Sequence, residues 1–135
     1  MKAEMDFQLV VWIIDDDLVS LFSTRYGIQQ WNKSCKVVDF DNAKTALKMF
    51  SDTQETGKQI PDIILLDLVM PAMDGWEFLA KFEDLDAHLK ATDIYILSAF
   101  KNSKDRKKAN EHSSIKGYFE KPVSKDVLDD ILLTV

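Results

Sequence analysis

The stretch Asp62-Ile63-Ile64-Leu65-Leu66-Asp67-Leu68-Val69-Met70-Pro71-Ala72-Met73-Asp74-Gly75-Trp76-Glu77 decides the architecture. Its apolar run is continuous rather than alternating, which predicts a strand buried on both faces, as in a parallel sheet covered by helices. The run ends at Asp67. After Met70-Pro71, Asp74 is placed to cap the free amides of a new helix, and Glu77 can reach back to it as in a capping box. Phe78, Leu79, Phe82, Leu85 and Leu89 then supply that helix with an apolar stripe. The stretch therefore reads as strand, turn and helix, with a carboxylate at the carboxyl end of the strand.

The same alternation extends in both directions. Short apolar runs at 9–14, 36–40, 62–66, 93–97 and 115–119 are rich in Val, Ile and Leu, and each is followed by a segment of helical character. Leu18, Leu21, Phe22, Ile28 and Trp31 roughly follow one stripe, and Ala43, Ala46, Leu47 and Phe50 make a cleaner one. Residues 101–112 are strongly charged, with Ala109 the clear apolar residue, and predict a weak, exposed helix. Val127, Leu128, Ile131 and Leu132 line one face of the last helix, with Ser124 as its cap. The polar stretch 53–61 is expected to be a surface loop. Repeated strand-helix-strand units require right-handed crossovers, so the order βαβαβαβαβα gives an α/β fold with a parallel sheet and helices on both faces.

A chain of 135 residues suits a single domain over 1–135. Its 17 Lys and Arg against 23 Asp and Glu leave a net charge of −6. That balance argues against nucleic-acid binding, which needs a basic footprint, and suits clustered carboxylates that take a cation. Cys35 is the sole cysteine, so a disulfide framework within the chain is excluded and a buried core position is expected. No signal segment opens the chain and no run reaches membrane-spanning length, so a soluble, cytoplasmic protein with no membrane contact is the simplest expectation.

In open α/β sheets the functional crevice lies beyond the carboxyl ends of the strands. Read together, those ends carry Asp15-Asp16-Asp17, Asp67, Ser98 and Lys121. Clustered carboxylates repel and either take up protons or bind a cation. Hard oxygen ligands without His or Cys nearby suggest Mg²⁺. A carboxylate can act as a nucleophile toward phosphorus, and a metal, a lysine and a hydroxyl can neutralise the transferred group. Asp17 fits the plainer role of a helix cap. Trp12, Trp31 and Trp76 are expected to be packing residues, and His88 and His112 to lie away from the rim.

The chain resembles the receiver domain of two-component response regulators, in the single-domain form. Ile14-Asp15-Asp16-Asp17, Leu66-Asp67 through Asp74-Gly75, Leu97-Ser98-Ala99 and Gly117-Tyr118-Phe119-Glu120-Lys121-Pro122 carry the resemblance. It implies a flavodoxin-like (βα)5 fold with strand order 2-1-3-4-5. Asp67 would be the phosphoacceptor, with a histidine kinase or histidine phosphotransfer protein as donor. Asp15, Asp16 and the Val69 carbonyl would hold Mg²⁺, and Lys121 would pair with the phosphoryl group after a cis bond to Pro122. Ser98 and Tyr118 would be the switch pair, acting on the face of the fourth helix, fifth strand and fifth helix, where a downstream protein would bind. With no DNA-binding module in the sequence, the expected output is a protein contact and not a reaction with turnover. The basic run Lys104, Arg106, Lys107 and Lys108 on that face is expected to be a solvated helix face. Val69 and Phe100 stand two residues after Asp67 and Ser98, where the resemblance implies control of water access; apolar residues there predict a longer-lived phosphorylated state. The competing readings are a haloacid-dehalogenase-type phosphatase using Asp15, a phosphorylation-independent interaction module and a flavodoxin-like electron carrier.

Overall fold

Five parallel strands form one sheet in the order β2-β1-β3-β4-β5 in the computed structural model, which describes residues 8–85, 92–99 and 102–133. The strands are β1 (Val10–Ile14), β2 (Lys36–Phe40), β3 (Ile63–Asp67), β4 (Asp93–Ser98) and β5 (Ile115–Glu120). Each is followed by a helix: α1 (Leu18–Trp31), α2 (Ala43–Thr56), α3 (Gly75–Leu85), α4 (Ser103–Asn110) and α5 (Lys125–Leu132). The expected flavodoxin-like α/β fold and its strand order are both present.

The continuous apolar runs are explained by two cores, one on each face of the sheet. Val10, Trp12 and Ile14, with Ile64, Leu66, Ile94 and Ile96, pack against Phe50 of α2 and Phe78 and Phe82 of α3. Val11 and Ile13, with Ile63, Leu65, Tyr95 and Leu97, pack against Leu21 and Ile28 of α1 and Leu128 and Ile131 of α5. Successive strand residues point to opposite faces, so a strand covered on both sides must be apolar at every position. Cys35 is buried in the second core, as expected.

The caps form where the sequence places them. Asp74 donates its amide to Glu77 Oε1 at 3.1 Å, and Glu77 donates its own to Asp74 Oδ1 at 2.9 Å. Ser124 Oγ accepts from the Val127 amide at 3.2 Å. Two expectations are corrected. The segment 53–61 is not wholly a loop: α2 runs to Thr56 and ends at Gly57, whose φ of 69° closes the helix through a 2.8 Å bond from its amide to Thr53 O. Thr53 is buried there because its hydroxyl donates back to Phe50 O at 2.6 Å. In α1 the buried stripe is Leu21, Thr24 and Ile28, while Leu18 and Phe22 are exposed. Phe22 lies one residue, about 100°, round from Leu21, which turns it away from the sheet.

Among the described residues no helix is long and apolar enough to cross a membrane. Leu89 and His88 lie outside the described residues.

Ala72 holds a left-handed φ of 66° in the loop between Asp67 and α3. A Cβ is disfavoured in that region and glycine is not. Ala72→Gly is expected to raise stability by about 1 kcal/mol, seen as a higher urea midpoint at unchanged slope.

Candidate functional site

The parallel sheet delivers the expected residues to one rim. Asp15 follows β1, Asp67 ends β3, Ser98 ends β4 and Lys121 follows β5. Carboxylate oxygens of Asp15, Asp16 and Asp67 all lie within 4.8 Å of one another. Lys121 Nζ donates to Asp15 Oδ2 at 2.7 Å and stands 3.7 Å from Asp67 Oδ2. Asp15 is 2 % exposed and Asp67 7 %, whereas Asp16 faces solvent. Ser98 is buried at the same rim.

Backbone bonds hold this arrangement. The Asp15 amide donates to Phe40 O at 3.0 Å, fixing the end of β1 against β2. The Lys121 amide donates to Ser98 O at 2.8 Å, tying the end of β5 to that of β4. The Lys121–Pro122 bond is cis, as the resemblance implied. Gly75 allows the closest approach: its amide donates to Leu68 O at 2.9 Å, and a Cβ there would lie 2.7 Å from Asp67 O. A glycine is therefore required for α3 to start directly beneath the loop that follows Asp67. The Asp17 carboxylate is not one of the cluster's three, although its amide donates to Asp15 Oδ1 at 3.0 Å. Its Oδ1 accepts from the Val19 and Ser20 amides and caps α1, the plainer of its two readings.

Burial pushes the Asp67 carboxyl up to about 6; the neighbouring Lys121 pulls it down, Asp15 pushes it up again, and the Val69 amide lowers it. An apolar site with several carboxylates and one ammonium is short of positive charge. Its donors are all oxygen and at hard-cation spacing, which fits Mg²⁺ and not a softer metal.

Residues 11–133 match the family model described as the response regulator receiver domain. The chain belongs to this family. Receiver domains are signalling modules of two-component systems, acting between a phosphodonor and downstream targets, and they bind Mg²⁺ at an acidic cluster like the one formed here. The chain is 28 % identical over 92 residues to the regulatory protein AtoC of Escherichia coli (strain K12). It is 33 % identical over 87 residues to the cyclic di-GMP phosphodiesterase response regulator RpfG of Xanthomonas campestris pv. campestris (strain 8004). Those matches take in 67 % and 64 % of this chain but only 17 % and 21 % of the two relatives. Among solved structures, a two-component response regulator from Cytophaga hutchinsonii superposes with a TM-score of 0.82 at 22 % identity, covering 93 % of this chain and 94 % of that one. Another, from Legionella pneumophila, gives 0.77 at 26 % identity, with 93 % and 96 % covered.

The haloacid-dehalogenase reading loses its support, because Asp17 is engaged as a cap and Asp129 accepts from Trp31 Nε1 at 2.7 Å in α5. Trp12 is buried, and Trp31 and Trp76 are half-buried. His112 is distant from the rim, in the turn before β5. The Val69 side chain projects outward, 75 % exposed, and Phe100 lies outside the described residues. Tyr118 is buried on β5, and its hydroxyl has no hydrogen-bond partner among the described residues. Sequence reasoning missed what lies against its ring: the Arg106 guanidinium, 4.8 Å from the centroid. The alternation of basic residues in α4 was the available signal, but it names no aromatic partner.

The raised carboxyl of Asp67 sets a pH dependence. A carboxylate whose pKa is higher folded than unfolded, here about 6 against 3.8, opposes folding when ionised. Without divalent cations the receiver domain should therefore gain stability as pH falls from 7.5 through 6 toward 4.5, by up to about 3 kcal/mol. Asp67→Asn should be the more stable protein at pH 7.5 and lose this part of the dependence in thermal melts. Asp62, also raised by burial, acts in the same direction and is unchanged in both proteins.

Proposed function

We propose that this receiver domain accepts a phosphoryl group on Asp67 from a phosphohistidine of a histidine kinase or histidine phosphotransfer protein, and thereby changes a protein-binding face. The observation that carries the reading is the set of three carboxylates within 4.8 Å of one another, with one ammonium 2.7 Å from Asp15 and 3.7 Å from Asp67.

In the proposed step an Asp67 carboxylate oxygen attacks phosphorus. The P–N bond of the donor breaks, and its electron pair returns to the imidazole nitrogen. Asp15, Asp16 and the Val69 carbonyl would hold Mg²⁺, which when bound supplies positive charge against the oxygens of the transferred group. Lys121 sits close enough to swing from Asp15 toward a phosphoryl oxygen, adding a second positive charge. The Ser98 hydroxyl can donate to another of those oxygens.

The modified carboxylate carries about −1.5 to −2 units of charge. Lys121 and Ser98 contact that charge in one arrangement only, so they bias a two-state element instead of deforming the fold continuously. Tyr118 is the residue of β5 best placed to follow Ser98, and α4, β5 and α5 form the face that a downstream protein reads. The chain acts as a cytoplasmic acceptor and switch rather than as an enzyme with turnover.

Incubation with Mg²⁺ and acetyl phosphate should give an acid-stable, base-labile adduct that is absent from Asp67→Asn. A phosphatase would instead show turnover that Asp15→Asn abolishes and Asp67→Asn spares. Neither adduct nor turnover would leave a phosphorylation-independent interaction module.

A further inference from the structure

Helix α4 is attached to the molecule unlike its neighbours. A surface helix ordinarily docks through an apolar stripe, yet Ala109 is the one buried residue that α4 contributes. Two of its side chains, both exposed, place cations on aromatic rings. The Arg106 guanidinium lies 4.8 Å from the Tyr118 ring centroid, and Lys108 Nζ lies 4.5 Å from that of Trp76. Two residues span about 200° of a helix, so these side chains straddle Ala109 and reach to opposite sides, one to β5 and one to α3. At the far end of α4 the His112 ring stacks on Trp76 at 5.8 Å, and its Nδ1 is 3.4 Å from Glu83 Oε2. Ser114 Oγ donates to the same Glu83 oxygen at 2.9 Å.

Both aromatic platforms belong to segments that build the acidic rim. Tyr118 is on β5, three residues before Lys121, which follows that strand, and Trp76 follows Gly75, the residue that abuts Asp67 O. The buried Tyr118 hydroxyl has no hydrogen-bond partner among the described residues, which works against its inward position. The ring, and not the hydroxyl, must hold Tyr118 inside. Arg106 covers that ring.

We propose that Arg106 and Lys108 form a two-point clasp that positions α4, and that Arg106 couples α4 to the acceptor site by holding Tyr118 inward. Both cations are exposed, so each contact is weak enough to open reversibly, worth about two- to fivefold in a local equilibrium. When Tyr118 leaves its inward position Arg106 loses its platform and α4 is freed at one end; removing Arg106 favours the outward tyrosine. The coupling to the site rests on the Asp67 reading above, whereas the clasp itself does not.

Hydrogen exchange of the α4 amides in the unphosphorylated full chain tests the clasp. Arg106→Met and Lys108→Met should each speed exchange in α4 about two- to fivefold and leave β1 and β3 unchanged. Tyr118→Phe keeps the platform and should retain the wild-type rate. Tyr118→Leu should speed exchange, and adding Arg106→Met to it should produce no further increase. Unchanged α4 exchange in Arg106→Met, or additive effects with Tyr118→Leu, would overturn the clasp. The coupling is read with Mg²⁺ and beryllofluoride as a phosphoryl mimic, whose apparent affinity should differ about two- to fivefold between Arg106→Met and wild type. Equal affinity in Arg106→Met and wild type would overturn the coupling. Failure of wild type to bind beryllofluoride would overturn the Asp67 reading and the coupling together, while the exchange results still decide the clasp.

Discussion

The ammonium of Lys121, 2.7 Å from Asp15 and 3.7 Å from Asp67, is the contact on which the rim depends. Two nearly buried carboxylates beside a third repel one another, and burial has already pushed Asp67 up to about 6. Without a nearby positive charge the cluster would stay protonated or force itself apart. Removing one member of such a buried pair costs on the order of 3–5 kcal/mol, because the other is left uncompensated. Asp15 and Lys121 are 106 residues apart in sequence, so the contact exists only when β1, β3, β4 and β5 are assembled side by side. The bond from the Lys121 amide to Ser98 O carries the end of β5 to the place where its side chain can reach across the rim.

That dependence links fold to chemistry. The central strands β1, β3 and β4 are buried on both faces, which makes their ends a rigid frame, and rigid placement is what a group-transfer site would require. Asp16 and Val69, by contrast, are exposed, which leaves an approach from solvent to the acceptor. A charge change at Asp67 alters what Lys121 and Ser98 can contact, and both sit at the ends of the strands that flank α4. Among its described residues the helix between those strands buries only Ala109 and places two exposed cations on aromatic rings, so it is the part of the sheet's cover best suited to respond.

Much of this was legible in the sequence because it follows from local rules. Continuous runs such as Ile63–Leu66 announce strands buried on both faces, and Asp74 with Glu77 announces the start of α3. Asp15, Asp67, Ser98 and Lys121 could be grouped because strand ends in a parallel sheet share one rim. The extent of α2 was misjudged because Thr53 satisfies its hydroxyl within the helix, so a polar residue there does not mark a loop. The apolar stripe of α1 was misassigned because that helix carries apolar residues on more than one side, and periodicity alone does not say which side is covered. The contacts of Arg106 and Lys108 were not legible at all: a cation has no pattern that names its ring, and Tyr118 and Trp76 come from different elements.

The claim that Asp67 is the acceptor is tested most directly by locating the modification in the intact protein. After reaction with Mg²⁺ and acetyl phosphate, borohydride reduces an aspartyl phosphate to homoserine, and peptide sequencing by mass spectrometry reads the position. Homoserine at position 67, and at no other aspartate, is the predicted result. Homoserine at position 15 or 16, or none where an adduct had formed, would contradict it.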